Sequence, residues 1–222
     1  MHIPDGFLDP YTIVVTYVLM VVFASIAFKK VRRLDERGVG LVTTLAAFIF
    51  VAQMIAWPIP GGTSLHMVGG ALVGVLLGPW VGVVVMFIVL LVQCLVFHDG
   101  GITALGANVF NMGVVAVFSG YLTYRAFMQV LNKVGMGVGT ARFVSGFIAG
   151  LVSLGLAGTV CGIELGVSGE VLSRVGYSLA VSVPVMAGWH FALGVVEGLI
   201  TGSVISYLGS KNALRIVAEV RS

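Results

Sequence analysis

The chain begins Met1-His2-Ile3-Pro4-Asp5-Gly6, which sets a primary amine, a backbone N–H and an imidazole within one residue of each other. If the His2 amide gives up its proton, amine and amide close a five-membered ring around a metal ion, and amide plus Nδ1 close a six-membered one. The three nitrogens then lie near one plane, an arrangement suited to Ni(II) or Cu(II) rather than Zn(II) or Mg(II). A histidine at position 3 would bring in a second backbone amide and fill all four corners. At position 2 one corner stays open, and another residue must supply the fourth ligand. A histidine near a chain end carries little weight alone, because termini are commonly frayed and inert.

The candidate for the open corner is His66. It follows the turn-forming stretch Trp57-Pro-Ile-Pro-Gly-Gly-Thr-Ser64 and heads a short apolar run, so it can present Nε2 to an inward cavity. His98, with Asp99 beside it, competes for the same role, although its loop setting favours a solvated or supporting histidine. Gln93, Asn108 and Asn111 are polar residues within apolar runs, where each needs an explanation. They serve either as interhelical hydrogen-bonding groups or as a shell that orients the tail and an imidazole, as metal sites require. Asn108 and Asn111, three apart, are expected on one side of a helix. Ser64 and Thr63 offer the same support from the loop. His190 and Glu197 are seven apart on one helix, about 10 Å along its axis and too far for direct contact. Glu197 is therefore expected to be a structural or partner-facing group.

These residues need a scaffold, and composition identifies its class. Of 222 residues, 59% are apolar and 9% charged, and mean hydropathy is +1.10; soluble domains carry about 25% charged residues. The expected fold is an all-α integral membrane protein, a single transmembrane domain over residues 1–222. Its parts are a tail at 1–10, a helical bundle at 11–208 and a cytoplasmic tail at 209–222. Apolar runs long enough for ~30 Å of hydrocarbon fall at 11–29, 39–57, 79–97, 104–128, 141–162 and 183–208. A seventh, 65–77, shares with its neighbour a stretch too short for two full crossings. At least one of that pair must be a half-helix facing a protein-lined cavity.

Seven spans place eleven of the twelve Lys and Arg residues on one side, leaving Arg174 alone on the other. That partition makes the basic side cytoplasmic and puts the N-terminus outside. Residues 58–64, 98–103 and 163–182 are then expected outside as well. The basic residues form no cluster interleaved with aromatics, which argues against nucleic acid as a partner. Cys94 and Cys161, both in apolar runs, give neither a disulfide framework nor a zinc spacing. No basic stretch precedes the first apolar run, so a cleaved signal is not expected, and the bulky His2 favours retention of Met1. The chain carries no Gly-x-x-x-x-Gly-Lys-Ser/Thr phosphate loop, so uphill transport would draw its energy from another protein. Glycines spaced four apart, at 70/74/78, 194/198/202 and 146/150, suit close helix packing, or docking of another membrane subunit.

Met1-His-Ile-Pro-Asp-Gly-Phe-Leu8, Ser64-Leu-His66 before a glycine-rich helix, Gln93 and Gly106-Ala-Asn-Val-Phe-Asn-Met-Gly113 resemble the CbiM/NikM family over essentially the whole chain. These are metal-specific membrane subunits of energy-coupling factor transporters for cobalt and nickel. The resemblance implies a metal held by the Met1 amine, the amide nitrogen and imidazole of His2, and the imidazole of His66. It implies no enzymatic activity of the subunit itself. The implied partners are a small membrane N subunit, a transmembrane coupling subunit and a pair of ATP-binding cassette ATPases in a prokaryotic cell membrane. The chain is expected to be too short to hold a fused N component. The Met-His-Ile-Pro-Asp-Gly form is similar to nickel members, with Co(II) as the alternative substrate. The rival readings are a proton-coupled metal carrier working through His190 and Glu197, and a purely structural membrane scaffold.

Overall fold

The structure, a computed structural model, describes residues 1–31, 36–172 and 177–211. Helix α1 (Pro10–Lys30) starts where it does because Asp9 caps it, accepting from the Tyr11 and Thr12 N–H groups, with Pro10 as its first residue. It ends on Lys29 and Lys30, where cations complement the helix dipole. Helix α2 (Glu36–Met54) runs back to the tail's end of the bundle. A two-residue hairpin follows, β1 (Trp57–Pro58) pairing antiparallel with β2 (Ser64–Leu65) so that Trp57 faces Leu65 and Pro58 faces Ser64.

The third passage is broken. Residues 66–69 are unwound, and only then does α3 (Gly70–Leu77) begin, eight residues long and buried throughout. At 1.5 Å per residue α3 spans about 12 Å, less than half the hydrocarbon thickness. Gly69 (φ +76°) and Gly78 (φ +84°) set its ends in conformations that favour glycine. Pro79 then opens α4 (Pro79–Val96). Helix α5 (Leu105–Val109), a π turn at Phe110–Val115 and α6 (Ala116–Lys133) form one continuous rod. Helices α7 (Val138–Leu172) and α8 (Leu179–Ser210) complete the bundle. With the α5–π–α6 rod counted once, the described residues form seven helical rods, as the sequence leads one to expect. Five rods are long and apolar enough to cross a membrane; α2 contributes a shorter apolar stretch, Gly38–Met54.

One expected boundary is wrong. The span placed at 141–162 continues as α7 through Leu172, and α8 starts at Leu179, because the small and polar residues there pack helix against helix. A Cβ on Gly166 would lie 2.6 Å from Ser182 Oγ and one on Gly162 2.8 Å from the Ser182 carbonyl oxygen. Glu164 and Ser168 are buried, not solvated. His190 sits well inside α8. The glycine stripes are internal contacts: a Cβ on Gly146 or Gly150 would lie 2.7 Å from the Cα of Gly202 or Gly198. Arg32, Arg33, Arg174, Arg215 and Arg221 lie outside the described residues. Among the others, Lys29 and Lys30 end α1, which starts at the tail, and Lys133 ends α6; Lys30 lies 4.2 Å over the Trp80 ring at the start of α4.

Candidate metal site

The tail is docked into the bundle by its backbone. Ile3 N–H donates to Asn108 Oδ1 at 2.8 Å, while the Ile3 carbonyl accepts from Gly101 N–H at 2.8 Å and Asn108 Nδ2 at 3.2 Å. One side-chain amide from α5 thus pairs with both backbone groups of Ile3, as a neighbouring strand would. Further out, Asp5 accepts from the Ile102 N–H, and from the N–H and hydroxyl of Thr103. Asp9, besides capping α1, accepts from Ser168 of α7 at 3.0 Å. Met1, His2 and Ile3 are all buried, and the Met1 side chain is part of the apolar core.

Ser64, placed by the β1–β2 hairpin, meets the chain end. The Met1 amine donates to the Ser64 carbonyl and, at 2.7 Å, to Ser64 Oγ; the His2 N–H reaches the same Oγ at 3.2 Å. The amine and amide nitrogens that would form a five-membered chelate therefore already share one partner. The Met1 carbonyl accepts a contact from Cys161 Sγ of α7 at 3.8 Å.

The two imidazoles lie on each other, ring centroids 4.5 Å apart at 19°. His2 Nε2 is 3.2 Å from Gln93 Oε1, an acceptor, which places the proton on Nε2 and the lone pair on Nδ1. His2 Nδ1 lies 3.3 Å from Asp99 Oδ1 but makes no hydrogen bond. His66 Nδ1 is 2.8 Å from the Met67 carbonyl and donates to it. His66 Nε2 is consequently a buried lone pair with no partner. Burial pushes the Met1 amine down from 8.0 to about 5. Burial, with the amine's charge adding to it, pushes His2 down from 6.5 to about 3. Both groups are neutral at pH 7 and offer lone pairs. Among the described residues, no group of three or more His, Cys, Asp or Glu side chains is placed to hold a metal. A metal at this point has to draw on backbone nitrogen.

Above the site a cavity of about 560 Å³ is lined by His2, Asp5, Trp57, His98 and Asp99, among others. His98 is exposed, with φ +54°, at its rim. Of the residues singled out in the sequence, Met1, His2, His66, Ser64, Gln93 and Asn108 come together. Asn111 does not join them: its Nδ2 donates to Glu164 Oε2 at 2.6 Å across to α7. The π turn beginning at Phe110 widens the helix and breaks the three-residue spacing that would have aligned it with Asn108.

Comparison with known proteins shows the family and supports the fold. Residues 2–213 match the family described as cobalt uptake substrate-specific transmembrane region. The chain belongs to that family. A putative fused nickel transport protein, NikMN, of Archaeoglobus fulgidus is 48% identical over 210 residues, covering 95% of this chain and 66% of its own length. A putative metal transport protein of Haloquadratum walsbyi is 41% identical over 211 residues, 95% of this chain and 90% of that protein. The crystal structure of a truncated transition metal transporter superposes with a TM-score of 0.85 at 36% identity, covering 95% of this chain and 99% of that one. The protein is thus a multi-pass membrane protein of a prokaryote, a transporter component rather than an enzyme.

Two contacts near the site have no local signal in the sequence. Asp99, seen there only as a neighbour of His98, is the carboxylate beside His2 Nδ1. Glu197, read as structural or partner-facing, is 1% exposed and accepts from the Val68 and Gly69 N–H groups. Nothing local in the sequence signals that contact, because its partners are 128 and 129 residues away.

Proposed function

We propose that the protein captures Ni(II) at the extracytoplasmic face as the substrate-specific subunit of an ATP-driven energy-coupling factor uptake transporter. The ligands are the Met1 amine, the His2 amide nitrogen and Nδ1, and His66 Nε2. The observation that carries this reading is the unpartnered, buried lone pair of His66 Nε2, stacked against the imidazole that neighbours the chain's amine. Four nitrogens near a plane favour Ni(II); Co(II), which the family's description names, is the alternative cargo. The gathering of basic residues opposite the tail supports an N-terminus outside the cell membrane and a cytoplasmic C-terminus. The partners we assign are a small membrane N subunit, a transmembrane coupling subunit and a pair of ATPases. The contacts of His190 and Glu197 speak against the proton-carrier reading: His190 donates to the Met186 carbonyl and Glu197 holds the 68–69 backbone, so the two share no contact.

The test is to add one residue ahead of Met1 in an otherwise processed chain and measure Ni(II) binding by competition with a chromophoric chelator. The addition turns the amine into an amide and has no room beside Ser64. Loss of about a hundredfold or more is expected; unchanged affinity sinks the ligand set.

A further inference from the structure

The peptide group between Met67 and Val68 is bonded on both sides. Its carbonyl accepts from His66 Nδ1 at 2.8 Å, and its N–H donates to Glu197 Oε2 at 2.7 Å. The other carboxylate oxygen, Oε1, accepts from Gly69 N–H at 3.0 Å. Both oxygens of Glu197 therefore act as acceptors, as a carboxylate's do. Bonds made through one peptide unit polarise each other, and more so away from water. A negative charge at Glu197 draws on the Val68 proton, enriches the Met67 carbonyl, and so pulls on the His66 Nδ1 proton. In many metal sites a carboxylate accepts directly from the ligating imidazole and raises its basicity; here a peptide group stands between them.

Two further features fit. The Val68 and Gly69 N–H groups lie at the N-terminal end of α3 (Gly70–Leu77), whose partial positive charge would disfavour a nearby dication unless an anion offset it. Glu197 is also held in register: a Cβ on Gly150 would lie 2.7 Å from the Gly198 Cα and 3.0 Å from the Glu197 carbonyl carbon, so α7 fixes the backbone that carries it.

We propose that Glu197 is a positioning residue for the metal site, orienting His66 and strengthening Nε2 as a donor through the Met67–Val68 peptide. The inference rests on His66 being a ligand. It makes α8, which supplies no ligand, a determinant of how tightly the cargo is held.

The experiment compares wild type with Glu197→Gln and, as a control, Gln53→Leu. Gln53 anchors the same segment through the Val68 carbonyl at 2.8 Å but lies outside the path to His66. Glu197→Gln removes the charge and sets an amide donor against one of the two N–H groups. Its Ni(II) affinity should fall about ten- to a hundredfold, and the ligand-field absorption of the bound Ni(II) should move to longer wavelength. Gln53→Leu should leave that band in place. Equal band shifts in both variants mean mere anchoring and overturn the proposal, as do wild-type affinity and band in Glu197→Gln. Should Glu197→Gln fail to fold, wild type carrying ¹³C-carbonyl Met and ¹⁵N Val decides. It contains two Met–Val peptides, 20–21 and 67–68, and Ni(II) should shift Met67–Val68 while leaving Met20–Val21 in place; an unmoved Met67–Val68 overturns the relay. Wild type that binds no Ni(II) sinks the capture reading itself, whereas binding that ignores Glu197 sinks only this inference.

Discussion

His66 and His98 are both histidines next to outer loops, and burial separates them. His66 is fully buried with its Nδ1 engaged, whereas His98 sits exposed at the cavity's rim. His66→Ala should reduce Ni(II) affinity by about a hundredfold or more, and His98→Ala by no more than a few-fold; titration of each variant against a chelator checks the order, and the reverse order would exchange their roles. The tail's own groups set a pH dependence for docking in the metal-free protein. The undocked amine has a pKa near 8.0 and the docked one about 5, while His2 falls from 6.5 to about 3. These are bases with lowered values, so the undocked tail binds more protons. Docking is then fully stable above pH 8, weakens by one proton per molecule from 8 towards 6.5, and by two between 6.5 and 5. Exchange of the Ile3 amide, corrected for its intrinsic rate, should show this acceleration, and a flat profile over that range contradicts it. Residue type and position made Met1, His2, His66, Ser64, Gln93 and Asn108 legible in the sequence. The contacts of Asp99 and Glu197 were not, because they depend on which atoms folding brings beside them.

At the scale of elements, the site depends on a chain end lying against the turn after α4. Gly101 is where backbone meets backbone: a Cβ there would lie 2.3 Å from Asp5 N. Gly101→Ala should expel the tail and cost about a hundredfold in Ni(II) affinity, with helical circular dichroism unchanged; retained affinity would show that the turn can yield. The spans themselves were readable from apolar runs, and Gly78-Pro79 announced the break that leaves α3 a half-helix. The end of α7 was not readable, since Glu164 and Ser168 look like loop residues until Asn111 and Asp9 are found beside them. The π turn in the fifth rod likewise leaves no periodic trace, and across it Asn108 bonds to Ile3 while Asn111 bonds to Glu164.

Across the whole molecule, buried and exposed faces divide the labour. Helix α3 is enclosed, while α1 and α8 expose Val18, Val22, Trp189, Val195 and Leu199, as surfaces facing acyl chains or a coupling subunit do. The protein in liposomes with an imposed pH gradient should bind Ni(II) without sustained uptake, and uptake should appear only when the ATPase-bearing partners are supplied; gradient-driven accumulation by the chain alone would revive the carrier reading. The outer cavity adds a constraint of a different kind. Six waters at about 30 Å³ each occupy roughly 180 Å³, so a fully hydrated ion fits within about 560 Å³. The stacked imidazoles beneath it leave no such space. On the proposed capture reading, an arriving ion sheds its shell in that antechamber, so ions whose water exchanges slowly should load slowly.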